Sequence, residues 1–125
     1  MDISLVACGY STLLALKARD QLASQGISAE VVDLRVLNPF DPTAVVESVR
    51  KTGRLLVVDG GWRTCGMSAE VIAAVAERLT PGELRAAPRR ITLPDAPAPT
   101  SRVLEKIYYP DVDQVVLAGR ALLVR

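Results

Sequence analysis

A chain of 125 residues has room for one domain with an ordinary core, and with half its residues apolar but only 4% aromatic, that core must be built from Val, Leu, Ile and Ala. Its fifteen basic and fourteen acidic residues are interspersed and leave a formal charge of +1, which excludes the basic stripe of a nucleic-acid binder. It has no histidine, so the commonest general base and the commonest zinc ligand are excluded together.

In chain order, Ile3–Cys8 (ISLVAC) is a continuous apolar run ending at Gly9 and predicts a buried strand. Ser11 stands where it would cap the following helix, in which Leu14, Ala18 and Leu22 recur every four residues until Gly26 stops it. Ala29–Leu34 (AEVVDL) predicts a second strand. Asp41 as cap and Pro42 at the first helical position announce a helix with Val45, Val46 and Val49 on one face before Gly53. Arg54–Asp59 (RLLVVD) reads as a third strand, covered on both faces.

A helix over Ser68–Leu79 follows, with Val71, Ile72, Val75 and Leu79 as its stripe, and Arg89–Leu93 (RRITL) is a fourth strand. Pro94–Arg102 carries three prolines and predicts an extended loop. The last helix, Asp111–Leu123, turns Val112, Val115, Val116, Leu122 and Leu123 inward, and Gly119 inside it permits a close approach. Strands alternating with helices predict a single α/β domain over residues 1–125, a mainly parallel sheet in an α/β/α sandwich. No apolar run reaches the ~20 residues of a membrane span, no signal peptide opens the chain, and two cysteines fit a cytoplasmic thiol protein better than a disulfide scaffold.

In such sheets ligands bind beyond the carboxyl ends of the strands. Two turns could lie there: CGYST after the first strand, and DGGWRTCG (Asp59–Gly66) after the third. The first has only Gly9 of a dinucleotide fingerprint, although Asp33 ends the second strand where a ribose-binding acid would sit. Cys8 and Cys65 read as small apolar fillers, with a reactive Cys65 near a helix start as the alternative. Asp59 and Glu70 are candidate paired carboxylates, Glu70 reading more simply as a first-turn acid. In YYPD (Tyr108–Asp111) the tyrosines either form a binding surface or pack under the proline-rich loop, with Asp111 either on that surface or capping the last helix. From the residues alone there is a crevice and no self-sufficient catalytic set, which leaves open a free-standing small α/β protein binding a nucleotide or anion.

Three motifs in this order, VVDLRVLNPFD, GRLLVVDGGWRTCGMSAEV and PDAPAPTSRVLEKIYYPD, resemble the C-terminal domain of the beta subunit of thiamine-dependent 2-oxo acid dehydrogenases, within the wider transketolase superfamily. The resemblance runs from about Asp2 to about Leu123. It implies a non-catalytic assembly domain, with strand order 2-1-3-4 and the family's first, antiparallel strand missing, as in a fragment of a longer subunit. The second strand would then be an open edge inviting self-association or an added strand.

Thiamine diphosphate and Mg would be held by other domains of the full enzyme and none of it by this chain. The implied partners are an alpha subunit, a second beta subunit and the lipoyl acyltransferase core, with a homodimer possible; transketolase and deoxyxylulose-phosphate synthase share the domain as further alternatives. Thr64, Gly66, Ala69 and Glu70 match the family's turn, whereas Cys65 replaces its first glycine and Gly60 follows Asp59 in place of a second acid. On this reading DGGWRTCGMSAE is a contact site: no residue is catalytic, and Trp62, Arg63, Tyr108, Tyr109 and Asp111 are the interface candidates, Trp and Arg being the commonest interface anchors.

Overall fold

Five consecutive buried residues, Ile3–Ala7, form strand β1 at the centre of a four-stranded parallel sheet, in a computed structural model that describes residues 1–124. The chain continues through α1 (Tyr10–Ser24), β2 (Ala29–Asp33), α2 (Thr43–Thr52), β3 (Leu55–Trp62), α3 (Met67–Ala76), β4 (Arg89–Leu93), α4 (Arg102–Tyr108) and α5 (Val112–Ala121). The strand order is β2-β1-β3-β4, as the family resemblance implied. No helix among the described residues is long and apolar enough to cross a membrane.

The two-residue period of the strands divides the core. Ile3, Leu5, Leu56 and Val58 point to the layer of α1 and α5, where they meet Leu14, Ala18, Leu22, Val115 and Leu122. Val6, Leu55 and Val57 point the other way, against Val45, Val49, Val71 and Val75 of α2 and α3. Gly119 is where α5 crosses α1: a Cβ there would lie 3.3 Å from a Leu22 methyl group and 3.7 Å from Ile3, so the close approach is to side chains.

Helix ends follow local chemistry. Gly26, at φ 78°, closes α1 as its N–H bonds to the Ala23 carbonyl and that of Ile27 to Leu22, the paired bonds of a left-handed glycine cap. Asp41 caps the next helix as expected: its Oδ1 accepts from the Thr43 N–H at 2.9 Å, and Pro42 already has helical dihedrals. Ser11 is not the cap of α1. Gly9, at φ 55°, holds that position, and Ser11 is buried two residues further in.

Two further differences concern the second half. The third strand runs on through Gly60 and Gly61 to Trp62, three residues past the expected Asp59. Between the pairs Val58–Ile91 and Trp62–Leu93 it spends residues 59–61 opposite Thr92 alone, a bulge that bends the strand out of the ladder. The segment after the proline-rich loop forms α4, a helix the residue pattern did not announce, and none of its residues is buried.

Ser4 stands at the centre of the sheet on the α2 face, where the pattern calls for an aliphatic residue. Its hydroxyl lies 2.7 Å from Ser48 Oγ and 2.8 Å from Thr52 Oγ1. Ser48 donates to Glu30 Oε2 at 2.6 Å, and Lys51 Nζ reaches Glu30 Oε1 at 2.8 Å. A carboxylate only accepts, so Ser48 must receive from Ser4, while the single Thr52 proton is shared between Ser4 and the Arg54 carbonyl at 3.1 Å.

The Lys51 bond foremost, then that of Ser48, holds the Glu30 carboxyl below its ordinary value of 4.5. A depressed folded-state value stabilises the fold above the ordinary value and is lost as pH falls through it. Glu30→Gln should therefore cost about 1 kcal/mol at neutral pH and progressively less below pH ~4.5, as read by urea unfolding of both proteins across that range.

Candidate interface at the strand-to-helix turn

The turn from β3 to α3 is pinned by Asp59, which is 4% exposed. One carboxylate oxygen accepts from the Gly61 N–H at 2.8 Å and the other from the Ser68 N–H at 2.9 Å. Both oxygens are thus occupied by backbone, while Glu70 lies exposed on the first turn of α3, so the expected acid–base pair is not assembled. Gly66 is held by packing: a Cβ there would overlap the Trp62 carbonyl oxygen. Cys65 has φ 56°, the left-handed region natural to glycine, so the cysteine that stands in place of the family's glycine holds this turn at a cost in strain.

So held, the turn projects its polar and aromatic side chains outwards. Trp62 is 57% exposed, and its indole N–H points to the Tyr108 hydroxyl at 3.4 Å. Tyr108 donates to the Ala96 carbonyl at 2.7 Å and packs edge to face against Tyr109, ring centres 5.0 Å apart. Thr64 is clamped to Asp95 through its N–H (3.1 Å) and its hydroxyl (2.7 Å), and the hydroxyl bond foremost keeps the Asp95 carboxyl low. The turn and the proline-rich loop thereby form one rigid rim.

The five sequence candidates divide accordingly. Trp62, Arg63 and Tyr109 are exposed on this rim. Tyr108 packs against the loop, with its hydroxyl spent there, and Asp111 closes a capping box with Gln114 at the start of α5. Residue-level reading missed Val103, Leu104 and Ile107, which α4 leaves 71%, 53% and 75% exposed beside Tyr108. Their spacing on one helical face was the available signal, masked by the prolines before it.

The crevice beyond β1 and β3 is a cavity of about 320 Å³ lined by Tyr10, Ser11, Leu14, Gly60, Leu93, Tyr109 and Pro110, without a charged side chain. Asp33 is tied to Thr12 (2.8 Å) and Arg35 (3.0 Å). Burial foremost, then the charges of Asp59 and Asp33, pushes the Cys8 thiol above its ordinary value, which disfavours the thiolate. Cys65 is exposed, and no three His, Cys, Asp or Glu side chains come together as a metal site among the described residues. These residues do not fit a diphosphate with a divalent ion, which needs carboxylate oxygens for the metal and cations or free N–H groups for the phosphates.

A parallel α/β/α domain with an open aromatic rim and a small neutral crevice is the class that fold and site define. The chain belongs to the family of the transketolase C-terminal domain, whose pattern matches residues 1–115. It is 41% identical over 119 residues to the beta subunit of acetoin:2,6-dichlorophenolindophenol oxidoreductase of Cupriavidus necator, covering 95% of this chain and 35% of that protein. It is 37% identical over 124 residues to the mitochondrial pyruvate dehydrogenase E1 component subunit beta-1 of Arabidopsis thaliana, covering 99% and 34%. A solved split-gene transketolase, an inactive beta4 tetramer, superposes with a TM-score of 0.83 at 29% identity over 98% of this chain and 39% of its own. The chain thus spans about a third of the length of these curated relatives.

Two substitutions test the turn. Cys65→Gly should stabilise the fold by about 0.5 kcal/mol, the relieved left-handed strain outweighing the added freedom of the unfolded chain. Gly66→Ala should destabilise it by more than about 3 kcal/mol, because the obstructing atom is backbone. Denaturant midpoints of the three proteins check both.

Proposed function

We propose that this domain is a non-catalytic assembly module of a thiamine-diphosphate-dependent 2-oxo acid dehydrogenase, most of whose length lies in other domains. Its partners on this reading are an alpha subunit, a second beta subunit and the lipoyl acyltransferase core, and its place is the cytoplasm. The cofactor, when bound elsewhere in that enzyme, supplies the carbanion chemistry that decarboxylates the 2-oxo acid. This chain's residues hold neighbouring subunits in register.

The observation that carries the reading is the apolar rim. Trp62, Tyr109, Leu104 and Ile107 are each about half exposed or more and lie together around Tyr108, whose hydroxyl accepts from the Trp62 indole and donates to the Ala96 carbonyl. Large aromatic and aliphatic side chains exposed together favour a protein partner that covers them. The relatives' names point the same way, both being subunits of larger oxidoreductases. A free-standing nucleotide or anion binder finds less support. The crevice lacks cationic side chains, and the buried Asp59 and the Asp33 carboxylate beside it repel phosphate.

The test is isolation of the affinity-tagged protein from its source cells, with native mass spectrometry of what accompanies it. Other subunits of a thiamine-dependent enzyme are expected, and Trp62→Ala with Ile107→Asp should weaken their retention about thirtyfold while the circular dichroism spectrum is unchanged. Isolation of the chain by itself, or undiminished retention by the double variant, overturns the reading.

A further inference from the structure

The sheet ends at β4, whose outer edge pairs with no strand among the described residues. Helix α3 packs on one face of the sheet and α5 on the other, yet Ala69 and Ala73 of α3 and Ala118 of α5 line a single groove of about 730 Å³ with Arg89, Arg90 and Arg63. A cavity shared by both helical layers and by β4 lies at the margin of the sheet, along the free edge. Its walls are kept low by alanines one helical turn apart on α3; longer side chains at 69 and 73 would close it.

The charge in the groove is of one sign. Arg89 and Arg90 are successive strand residues, so their side chains leave opposite faces and put positive charge on both sides of the edge. Arg90 donates one guanidinium N–H to the Arg63 carbonyl at 3.0 Å. None of the three makes an ion pair among the described residues, and no carboxylate lines the groove. Charges on an edge strand commonly serve to keep other strands away. That accounts for the arginines but not for the recess.

The geometry points to a docking slot for an acidic, extended segment of a partner protein, laid along β4 as a fifth strand with adjacent carboxylates reaching Arg89 and Arg90. Main-chain hydrogen bonds to the edge would give affinity, and the arginines would set the charge of the partner. A second copy paired β4 to β4 is disfavoured, because it would bring four arginines together. Nucleic acid is disfavoured too, because no aromatic side chain lines the groove for base stacking. This inference goes beyond the assembly reading and does not need it: Arg63 is the one residue the groove shares with the proposed interface.

The test is fluorescence anisotropy of the 125-residue chain with a labelled eight-residue peptide, a central Glu-Glu flanked by Val and Thr. Three controls accompany it: a Lys-Lys counterpart, a copy N-methylated at alternate residues, and a single-stranded oligonucleotide. The Glu peptide should bind and slow amide exchange across residues 89–93, and the Lys and N-methylated peptides should not. Arg89→Glu, at an exposed position, should weaken binding about tenfold, and Arg89→Glu with Arg90→Glu further. Trp62→Ala with Ile107→Asp should bind the peptide as the unaltered chain does, which separates this site from the aromatic rim. Failure of the Glu peptide to bind, equal binding of the N-methylated copy or the oligonucleotide, or indifference to Arg89→Glu overturns the slot.

Discussion

The Asp59 carboxylate sets the arrangement of everything at the C-terminal end of the sheet. Burying a charge is costly unless its lone pairs are met, and here two backbone N–H groups meet them, one from Gly61 as the strand leaves the ladder and one from Ser68 as the helix begins. That bracket fixes the sharpness of the turn, which brings Gly66 against the Trp62 carbonyl and leaves Cys65 in a left-handed conformation. With the turn fixed, Thr64 meets Asp95 and Trp62 meets Tyr108, so a loop rich in proline acquires a defined position without entering the core. A carboxylate that looks catalytic in the sequence is thus a fastener, and the aromatic rim is what it fastens.

Seen from the sheet, the molecule has two kinds of boundary. The faces are closed by aliphatic packing, into which a row of hydroxyls, Thr52, Ser4 and Ser48, leads out to Glu30. The edges are open and charged. Glu30 and Asp33 lie on β2, and Arg89 and Arg90 on β4. The β2 carboxylates are already engaged by Lys51, Ser48, Thr12 and Arg35, whereas the β4 guanidinium groups have little but a carbonyl to hold. The two margins therefore differ in what they can still bind, although they look alike in topology.

Much of this fold was legible in the residues, for reasons that particular segments make plain. Short aliphatic runs bounded by Gly9, Gly26 and Gly53 could only be strands and helix ends of a layered α/β domain, and Asp41 before Pro42 marked a helix start through its own chemistry. The order of the strands came from resemblance, since periodicity says which face is buried and not which strand lies beside which. What escaped was set by tertiary contact. Ser11 has the right side chain for a cap but is pulled inside, while Gly9 can take the positive φ the chain needs there. Helix α4 buries nothing, so no inward stripe betrayed it. At the site, Trp62 and Arg63 were visible as unusual residues in a glycine-rich turn. The role of Asp59 and the groove at β4 depend on distances that no local pattern encodes.

The division of the core into two faces also orders events during synthesis. All the residues that cover Val6, Leu55 and Val57 lie at or before Leu84, so that side of the sheet can consolidate while the chain is still growing. The other side waits for Val115, Val116 and Leu122, which follow later in the chain. Until they emerge, Leu5, Leu56 and Val58 have only α1 over them, and the nascent domain carries an uncovered apolar strip. Helix α5 is therefore the natural target of any chaperone that attends this domain as it folds, and of any truncation that would leave it half closed.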